Sequence, residues 1–160
     1  VLFHTNTAAY VQTKRKLLNE CDLFCIVSLP NGAFVNAGAG VKTDLLFFTK
    51  GKRTEKIWYY DMTLNDDFRP RKVNKGNPLE LKHFDDFKRR FALPDGHKDK
   101  VSERSWYLTR EEIEDRKYDL KAVNNNAPDF TDKRTPAELY KVIQDAQKEI
   151  EKELAELMKE

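Results

Sequence analysis

The chain contains no apolar run long enough to cross a membrane, although its 160 residues are enough to bury a core. A spanning helix needs roughly 18 consecutive apolar residues. The first residues, VLFHTNTAAYVQTKRK, carry a short apolar start with the basic cluster downstream of it, which is the reverse of a secretory leader. We therefore expect no signal peptide and a cytoplasmic protein.

Cysteine and histidine are also scarce, with two and three copies. Cys21 and Cys25 lie four residues apart at a passage from helix to strand, lack a second ligand pair and are poorly placed to bridge each other. We expect buried or half-buried thiols. The histidines form no H-x-x-x-H or Cys/His cluster, so the sequence predicts no metal site.

The formal net charge of +2 is too small to indicate a nucleic-acid binder from composition alone. Basic residues nevertheless occur in clusters that would contact phosphates if they shared a face, or would otherwise lie on solvated helix faces and turns. These clusters are Lys14 to Lys16, Lys50 to Arg53, Arg69 to Lys72 and Lys88 to Arg90.

Three strands are predicted from apolar and aromatic runs. The first, Asp22 to Leu29, ends at the turn signature Pro30-Asn31-Gly32, and the second, Thr43 to Thr49, is expected to be buried and is closed by Gly51. The third is Ile57 to Tyr60, in which Trp58 and Tyr60 should face one side of the sheet while Ile57 and Tyr59 face the other.

Helices are predicted from apolar spacing and from capping signatures. A short helix over 10–19 should have a basic outer face and Leu17 and Leu18 inside. Three further helix starts pair a capping side chain with a Glu three residues on, beginning at Asn77, Thr109 and Thr135. The first of these should carry a core stripe made of Leu81, Phe84, Phe87 or Lys88, and Phe91. Residues 92–105 are expected to be a loop and 124–132 a polar linker.

The last segment, 136–160, contains no Gly and no internal Pro, and predicts a helix roughly 37 Å long. Its apolar residues recur every three or four positions and form a narrow seam that needs a partner helix, in the parent chain or in another subunit. The seam consists of Leu139, Ile143, Ala146, Ile150, Leu154 and Leu157.

Glycine is sparse, but three of the six copies lie in the stretch LPNGAFVNAGAGVKTDLLFF, Leu29 to Phe48. A phosphate-binding loop is disfavoured there. Ala37 to Gly40 holds a lone GxG, without a third glycine, a Gly-Lys-Ser/Thr ending or a following helix. The stretch leads into a strand instead.

The order of these signals resembles the C-terminal portion of the methylation (M) subunit of type I restriction-modification systems. The similarity is carried by KRKLLNECD, DLFCIVSLP, the LPNGAF and GVKTDLLFF combination, KIWYYDM, NPLELKHFDDFKRRF and SWYLTREEIEDRKYDLKAVN, and it covers essentially all of the chain. Members of this family are adenine-N6 DNA methyltransferases that use S-adenosylmethionine.

The resemblance implies an α/β fold, namely the C-terminal part of a class I (Rossmann-like) methyltransferase sheet with an antiparallel terminal hairpin, followed by a mainly helical C-terminal tail. Residues 1–75 would belong to the catalytic domain, 76–132 to a helical and loop extension, and 133–160 to a long helix for subunit packing. The family's glycine-bearing cofactor loop and its Asn-Pro-Pro-aromatic catalytic motif are not in these 160 residues. Asn77-Pro78-Leu79-Glu80 begins like that motif, but it has the wrong last two residues and follows the terminal strands, so we interpret it as a helix cap. We expect this fragment to bind no cofactor and to be inactive alone.

The resemblance also assigns the hairpin loop to one wall of the pocket that receives the flipped adenine. The implied target-base or DNA-side residues are Pro30, Asn31, Gly32, Phe34, Lys42 and Thr43. Phe34 would pack near the base, Lys42 would meet a DNA phosphate and Thr43 would make a polar contact. An alternative remains open, in which Phe34 closes the sheet edge and the glycines only permit positive φ.

Expected partners are DNA, the specificity subunit and the restriction subunit, with a homodimer or an intramolecular helix pair as alternatives for the terminal helix. A competing function is a non-catalytic DNA-binding or subunit-assembly module. An unrelated nucleotide-binding protein built on the glycine loop is the least favoured reading.

Overall fold

The computed structural model describes residues 7–64, 73–121, 123–127 and 133–157. The chain divides into two compact units, Val1–Pro128 and Asp129–Glu160. Among the described residues, the first unit holds the sheet, three helices and several 3₁₀ turns, and the second holds one long helix. The regular elements are α1 (Ala8–Glu20), β1 (Cys21–Ser28), β2 (Asp44–Lys50), β3 (Lys56–Asp61), α2 (Asp85–Phe91), β4 (Ser105–Thr109), α3 (Arg110–Asp115) and α4 (Pro136–Leu157).

The sheet has four strands in the order β2-β1-β3-β4. The two strands expected to form a hairpin do pair antiparallel, with Ser28 level with Asp44 and Cys21 level with Lys50. β1 is internal, because β3 pairs with it in parallel on its other side and β4 then adds antiparallel to β3. The described sheet is therefore mixed, and β2 forms one of its edges.

The strand predictions differ from the structure in two places. β4 was not predicted: it begins at Ser105, the last residue of the expected loop, and its Trp106 and Leu108 face the core, a pattern too short to stand out in the sequence. β2 was expected to be buried, but its residues are half-buried or exposed and Phe48 is 51% exposed. An edge strand lacks a neighbour to cover its outer side, which explains this exposure.

Each face of the sheet carries its own apolar cluster. On one face, Ile57 and Tyr59 join residues of α1, β4 and α3, and Tyr59 stacks on Trp106 with ring centroids 5.4 Å apart. On the other face, Trp58 and Tyr60 pack with Phe87 of α2. The predicted alternation of residues 57–60 is confirmed, because a strand's side chains point to opposite faces in turn.

The helix α1 matches its predicted place, with Leu18 fully buried and Leu17 packed against the same cluster. Its expected basic outer face is wrong at one position, since Lys14 is also fully buried. Burial lowers the pKa of Lys14, and the charge of Asp119 opposes that effect. A lysine stem can fill an apolar site, which the charge pattern alone does not reveal.

The junction between α1 and β1 is fixed by a buried threonine. The Thr54 hydroxyl donates to the Cys21 carbonyl at 2.7 Å and accepts from the Leu23 amide at 2.8 Å. Immediately beyond, the strand pairing shifts at Phe24, which forms a β-bulge. Cys25, the residue after the bulge, is buried, and burial raises the pKa of its thiol to about 12. A thiol in such a site is unreactive.

The predicted cap at Asn77 was wrong. Asn77 instead pairs its backbone with Asn74 in a tight turn, and the helical segment begins after Glu80, which exchanges hydrogen bonds with His83. A 3₁₀ turn over Leu81–Phe84 then leads into α2. Leu81, the first residue of the predicted core stripe, is 82% exposed, whereas Phe87 is buried in the core. The tight-turn preference of asparagine and proline outweighed their capping potential here.

The other two capping signatures are confirmed. At α3, the Thr109 hydroxyl accepts from the Glu112 amide at 3.3 Å and the Glu112 carboxylate accepts from the Thr109 amide at 2.7 Å. At α4, Thr135 and Glu138 make the same exchange at 3.3 and 2.6 Å. Both helices therefore start where reciprocal side-chain bonds satisfy their first amides.

The helix α4 spans 22 residues, and none of its side chains is buried. The predicted seam is largely exposed, with Ile143 at 63%, Ile150 at 58% and Leu157 at 68%. Over the described part of the chain, no helix has both the length and the apolar content to span a membrane.

Candidate functional site

The loop between β1 and β2 lies where two parallel strands end. β1 and β3 run in the same direction, so the loop starts beside the 3₁₀ turn Met62–Leu64 that follows β3. Its base is closed by the Leu29 amide, which donates to the Thr43 carbonyl at 3.0 Å. The carboxyl edge of parallel strands is the usual place for ligand sites in α/β sheets. This loop is therefore the candidate site, and we call residues 29–43 the hairpin loop.

The first turn of the hairpin loop contacts the backbone of Val73, which lies further along the chain than β3. Gly32 has φ +86°, and a Cβ placed on it would lie 2.5 Å from the Val73 carbonyl oxygen. No side chain fits at that distance, and positive φ is itself costly for other residues. Gly32 thus permits a close backbone contact that fixes the root of the loop.

The second turn forms a small closed hook. Val35–Ala37 make a 3₁₀ turn ended by Gly38 at φ +80°, and the Ala39 amide donates to the Phe34 carbonyl at 3.1 Å. A Cβ on Gly38 would meet nothing within 4 Å. Gly38 is needed for its backbone angle alone, in contrast to Gly32.

The hairpin loop exposes some of the predicted residues and buries others. Asn31 and Lys42 are exposed, and the Phe34 ring is 43% exposed at the closing bridge. Thr43 is half-buried at the strand entrance, and Pro30 is buried. The loop therefore exposes an aromatic side chain and a lysine, whereas Pro30 is not accessible on its surface.

A row of polar residues beneath the hairpin loop was missed in the sequence. Ser28 of β1 is level with Asp44 of β2 and with Asp61 of β3, and alternation places all three on the α1 side of the sheet. The Asp61 carboxylate accepts from the Thr63 amide at 2.9 Å and fixes the turn after β3. The three lie at strand ends, where the register that aligns them cannot be read from one sequence. Within the described ranges, no group of three or more His, Cys, Asp or Glu side chains is arranged to hold a metal ion.

A pocket of about 240 Å³ lies at the opposite edge of the sheet, near the starts of β1 and β3. Its polar centre is Asp95, which receives bonds from Lys56 at 2.8 Å and from the Tyr107 hydroxyl at 2.9 Å, with Lys100 at 3.1 Å. The bond from Lys56 lowers the pKa of Asp95 to about 2, with further bonds from Lys100 and Tyr107 outweighing its partial burial. Asp95 thus links Lys56, Lys100 and Tyr107 across the pocket, which is separate from the hairpin loop.

Comparison with known proteins decides the family. A model of the family described as N-6 DNA Methylase matches residues 1–133. The chain belongs to this family.

The curated relatives are methylase subunits of type I restriction enzymes. The EcoEI methylase subunit of Escherichia coli is 41% identical over 71 residues, covering 44% of this chain and 14% of that protein. The EcoKI methylase subunit of Escherichia coli (strain K12) is 31% identical over 110 residues, covering 63% of this chain and 20% of that protein. The chain thus spans about a fifth or less of the lengths of these relatives.

Solved structures agree. A chain from work on complex assembly and conformational transition of the type I R-M system aligns over 98% of this chain and 33% of its own length, with a TM-score of 0.71 and 32% identity. A modification subunit of a putative type I restriction enzyme from Vibrio vulnificus YJ016 aligns over 70% of this chain and 21% of its own, with a TM-score of 0.57 and 28% identity. The resemblance to methylation subunits of type I restriction-modification systems is therefore confirmed.

Proposed function

We propose that the chain is part of a modification subunit that transfers a methyl group from S-adenosylmethionine to adenine N6 in DNA. In that reaction the adenine amine attacks the methyl carbon, the C–S bond of the sulfonium breaks to leave a neutral thioether, and the amine releases a proton. The observation that carries the proposal is the family match over residues 1–133, together with an exposed loop at the carboxyl edge of the sheet.

The contribution of these 160 residues is to the DNA side of the reaction. The family's cofactor loop and its Asn-Pro-Pro-aromatic motif do not occur among them. We therefore propose that S-adenosylmethionine serves the full-length subunit and that residues 1–160 alone neither bind it nor transfer methyl.

The hairpin loop is proposed as one wall of the target-base pocket. An adenine must leave the duplex to react, and the few kcal/mol of stacking energy it loses must be offset inside the pocket. The exposed ring of Phe34 can supply a stacking surface, and the exposed ammonium of Lys42 can meet a backbone phosphate. Thr43, at the strand entrance, is proposed to make a polar contact, and Pro30, Asn31 and Gly32 shape the turn that carries them.

The proposal is tested with labelled S-adenosylmethionine and duplex DNA. The full-length subunit, assembled with its specificity subunit, should transfer label to adenine N6, and the 160-residue chain should transfer none. Calorimetric titration should likewise show no binding of S-adenosylmethionine by the chain alone. Micromolar or tighter binding of S-adenosylmethionine by residues 1–160 would contradict the proposal that the cofactor site lies outside them.

A second role, subunit assembly, is favoured by the seam of α4. Six apolar side chains recur along one face while no side chain of the helix is buried; they are Leu139, Ile143, Ala146, Ile150, Leu154 and Leu157. We propose that the specificity subunit covers this seam with a helix of its own. DNA and the restriction subunit are the other proposed partners, and a cytoplasmic location remains a prediction.

Two substitutions test the assembly role. Ile143→Asp with Ile150→Asp should abolish co-purification of the full-length subunit with the specificity subunit, because two carboxylates would enter the apolar seam. Gln144→Asp with Ala155→Asp adds the same charge on the outer face and should leave co-purification intact. Retention of the complex by the seam variant would refute the proposed contact.

A further inference from the structure

Charge is distributed unequally on the two sides of the α4 seam. With about 100° of rotation per residue, Glu149 and Glu156 fall on one flank, and Glu153 lies between that flank and the seam itself. The opposite flank carries the uncharged Tyr140 and Gln147 and one carboxylate, Glu151, which accepts a hydrogen bond from the Gln147 amide. The basic residues of the helix lie on its outer face, away from the seam; they are Lys141, Lys148 and Lys152. We call Glu149, Glu153 and Glu156 the acidic flank.

The acidic flank is unengaged within its own helix. Over the described ranges, none of its three carboxylates takes part in an ion pair or a side-chain hydrogen bond. Elsewhere on α4, the Thr135 amide bonds Glu138 and the Gln147 amide bonds Glu151. The three carboxylates are thus free to select what lies against the seam.

A second copy of the helix is a poor occupant. In a parallel, in-register pair, Glu153 would face Glu153 of the other copy across the seam. In an antiparallel pair, the two acidic flanks would lie against each other. Like charges at these positions of a helix pair are destabilising and direct pairing toward other partners. Neither arrangement places a lysine or arginine side chain opposite the carboxylates.

We propose that the acidic flank selects a helix of another polypeptide that carries an apolar seam and a basic flank. This inference rests on the assembly role proposed above and adds the charge of the partner to it. A lysine or arginine opposite Glu153 pairs with a carboxylate that would otherwise be partly desolvated. Basic side chains opposite Glu149 and Glu156 fix the orientation of the partner helix.

Two synthetic peptides of residues 135–157 serve as probes. One keeps the native sequence, and the other carries Glu149→Lys, Glu153→Lys and Glu156→Lys on the same seam. Binding of each labelled peptide to the 160-residue chain is measured by fluorescence anisotropy at low and at high salt. The basic peptide should bind at least about tenfold more tightly at low salt, and added salt should narrow the difference.

Charge substitutions in the chain provide the matched control. Glu149→Lys with Glu153→Lys in the chain should reverse the preference toward the native peptide. Asp145→Lys, which makes the same change of charge at one position on the outer face of the helix, should leave the preference for the basic peptide in place. Equal affinity for the two peptides, binding of neither peptide, or tighter binding of the native peptide would each overturn the inference. Co-purification with the specificity subunit is measured separately. Loss of the assembly role and loss of the charge preference can therefore be told apart.

Discussion

Replacing Gly32 by alanine should weaken the fold far more than replacing Gly38, although both glycines have positive φ. At Gly38 the added Cβ meets no atom within 4 Å, so the cost is the backbone angle alone, about 1 kcal/mol. At Gly32 the same angular cost applies, and the Cβ would lie 2.5 Å from the Val73 carbonyl oxygen. Relieving that overlap requires a shift of backbone, typically about 1–3 kcal/mol. We expect a loss of about 2–4 kcal/mol at Gly32.

The assay is urea unfolding of the 160-residue chain, monitored by tryptophan fluorescence. Trp58 and Trp106 both lie in the sheet, so the signal reports the unit that holds the hairpin loop. The midpoint of Gly32→Ala should fall well below that of Gly38→Ala with little change in slope. Equal destabilisation by the two substitutions would refute the close contact between Gly32 and Val73.

Two further substitutions probe the supports of the sheet by unfolding. Thr54→Val should cost about 1–3 kcal/mol, because it leaves the buried Leu23 amide without its 2.8 Å acceptor, whereas Thr54→Ser keeps the hydroxyl and should cost less; equal losses would contradict this. Asp86 is partly buried, which raises its pKa, but bonds from Arg89, Arg90 and Tyr60 outweigh this and lower the pKa to about 2. Since the folded pKa lies below the unfolded one, the stabilisation is complete above about pH 4 and is lost as the pH falls toward 2. Asp86→Asn should therefore lower the free energy of unfolding by about 1–2 kcal/mol at neutral pH, and this difference from the unsubstituted chain should shrink as the pH falls. A difference that stays constant with pH would count against the ion pairs.

The sequence was informative wherever one local signal determined the result. The reciprocal bonds at Thr109 and Thr135 depend on residues three apart, and the alternation of Trp58 and Tyr60 depends on strand period alone. Both needed no knowledge of distant contacts, so both could be predicted.

The remaining features depend on contacts far apart in the chain. The parallel pairing of β1 with β3 joins segments that no local rule connects, and it is what makes β1 internal and leaves β2 at an edge. The burial of Lys14 depends on the packing around α1, and the role of Gly32 depends on Val73, 41 positions on. In the hairpin loop, the family resemblance indicated which residues to examine, while the structure separates exposed Phe34 from buried Pro30.

The proposed place of Phe34 at the target base is tested most directly by base flipping in the full-length subunit carrying Phe34→Ala, assembled with its specificity subunit. Fluorescence of 2-aminopurine at the target adenine reports whether the base leaves the stack, and labelled S-adenosylmethionine reports methyl transfer to the unmodified site. Phe24→Ala is the matched control, since Phe24 is 37% exposed against 43% for Phe34 but lies near the start of β1, at the opposite end of the strand from the hairpin loop. We expect Phe34→Ala to lower both signals about tenfold, because one stacking contact of about 1–3 kcal/mol is lost, and Phe24→Ala to leave them near normal. Equal signals from the two variants would contradict the placement of the hairpin loop at the target base.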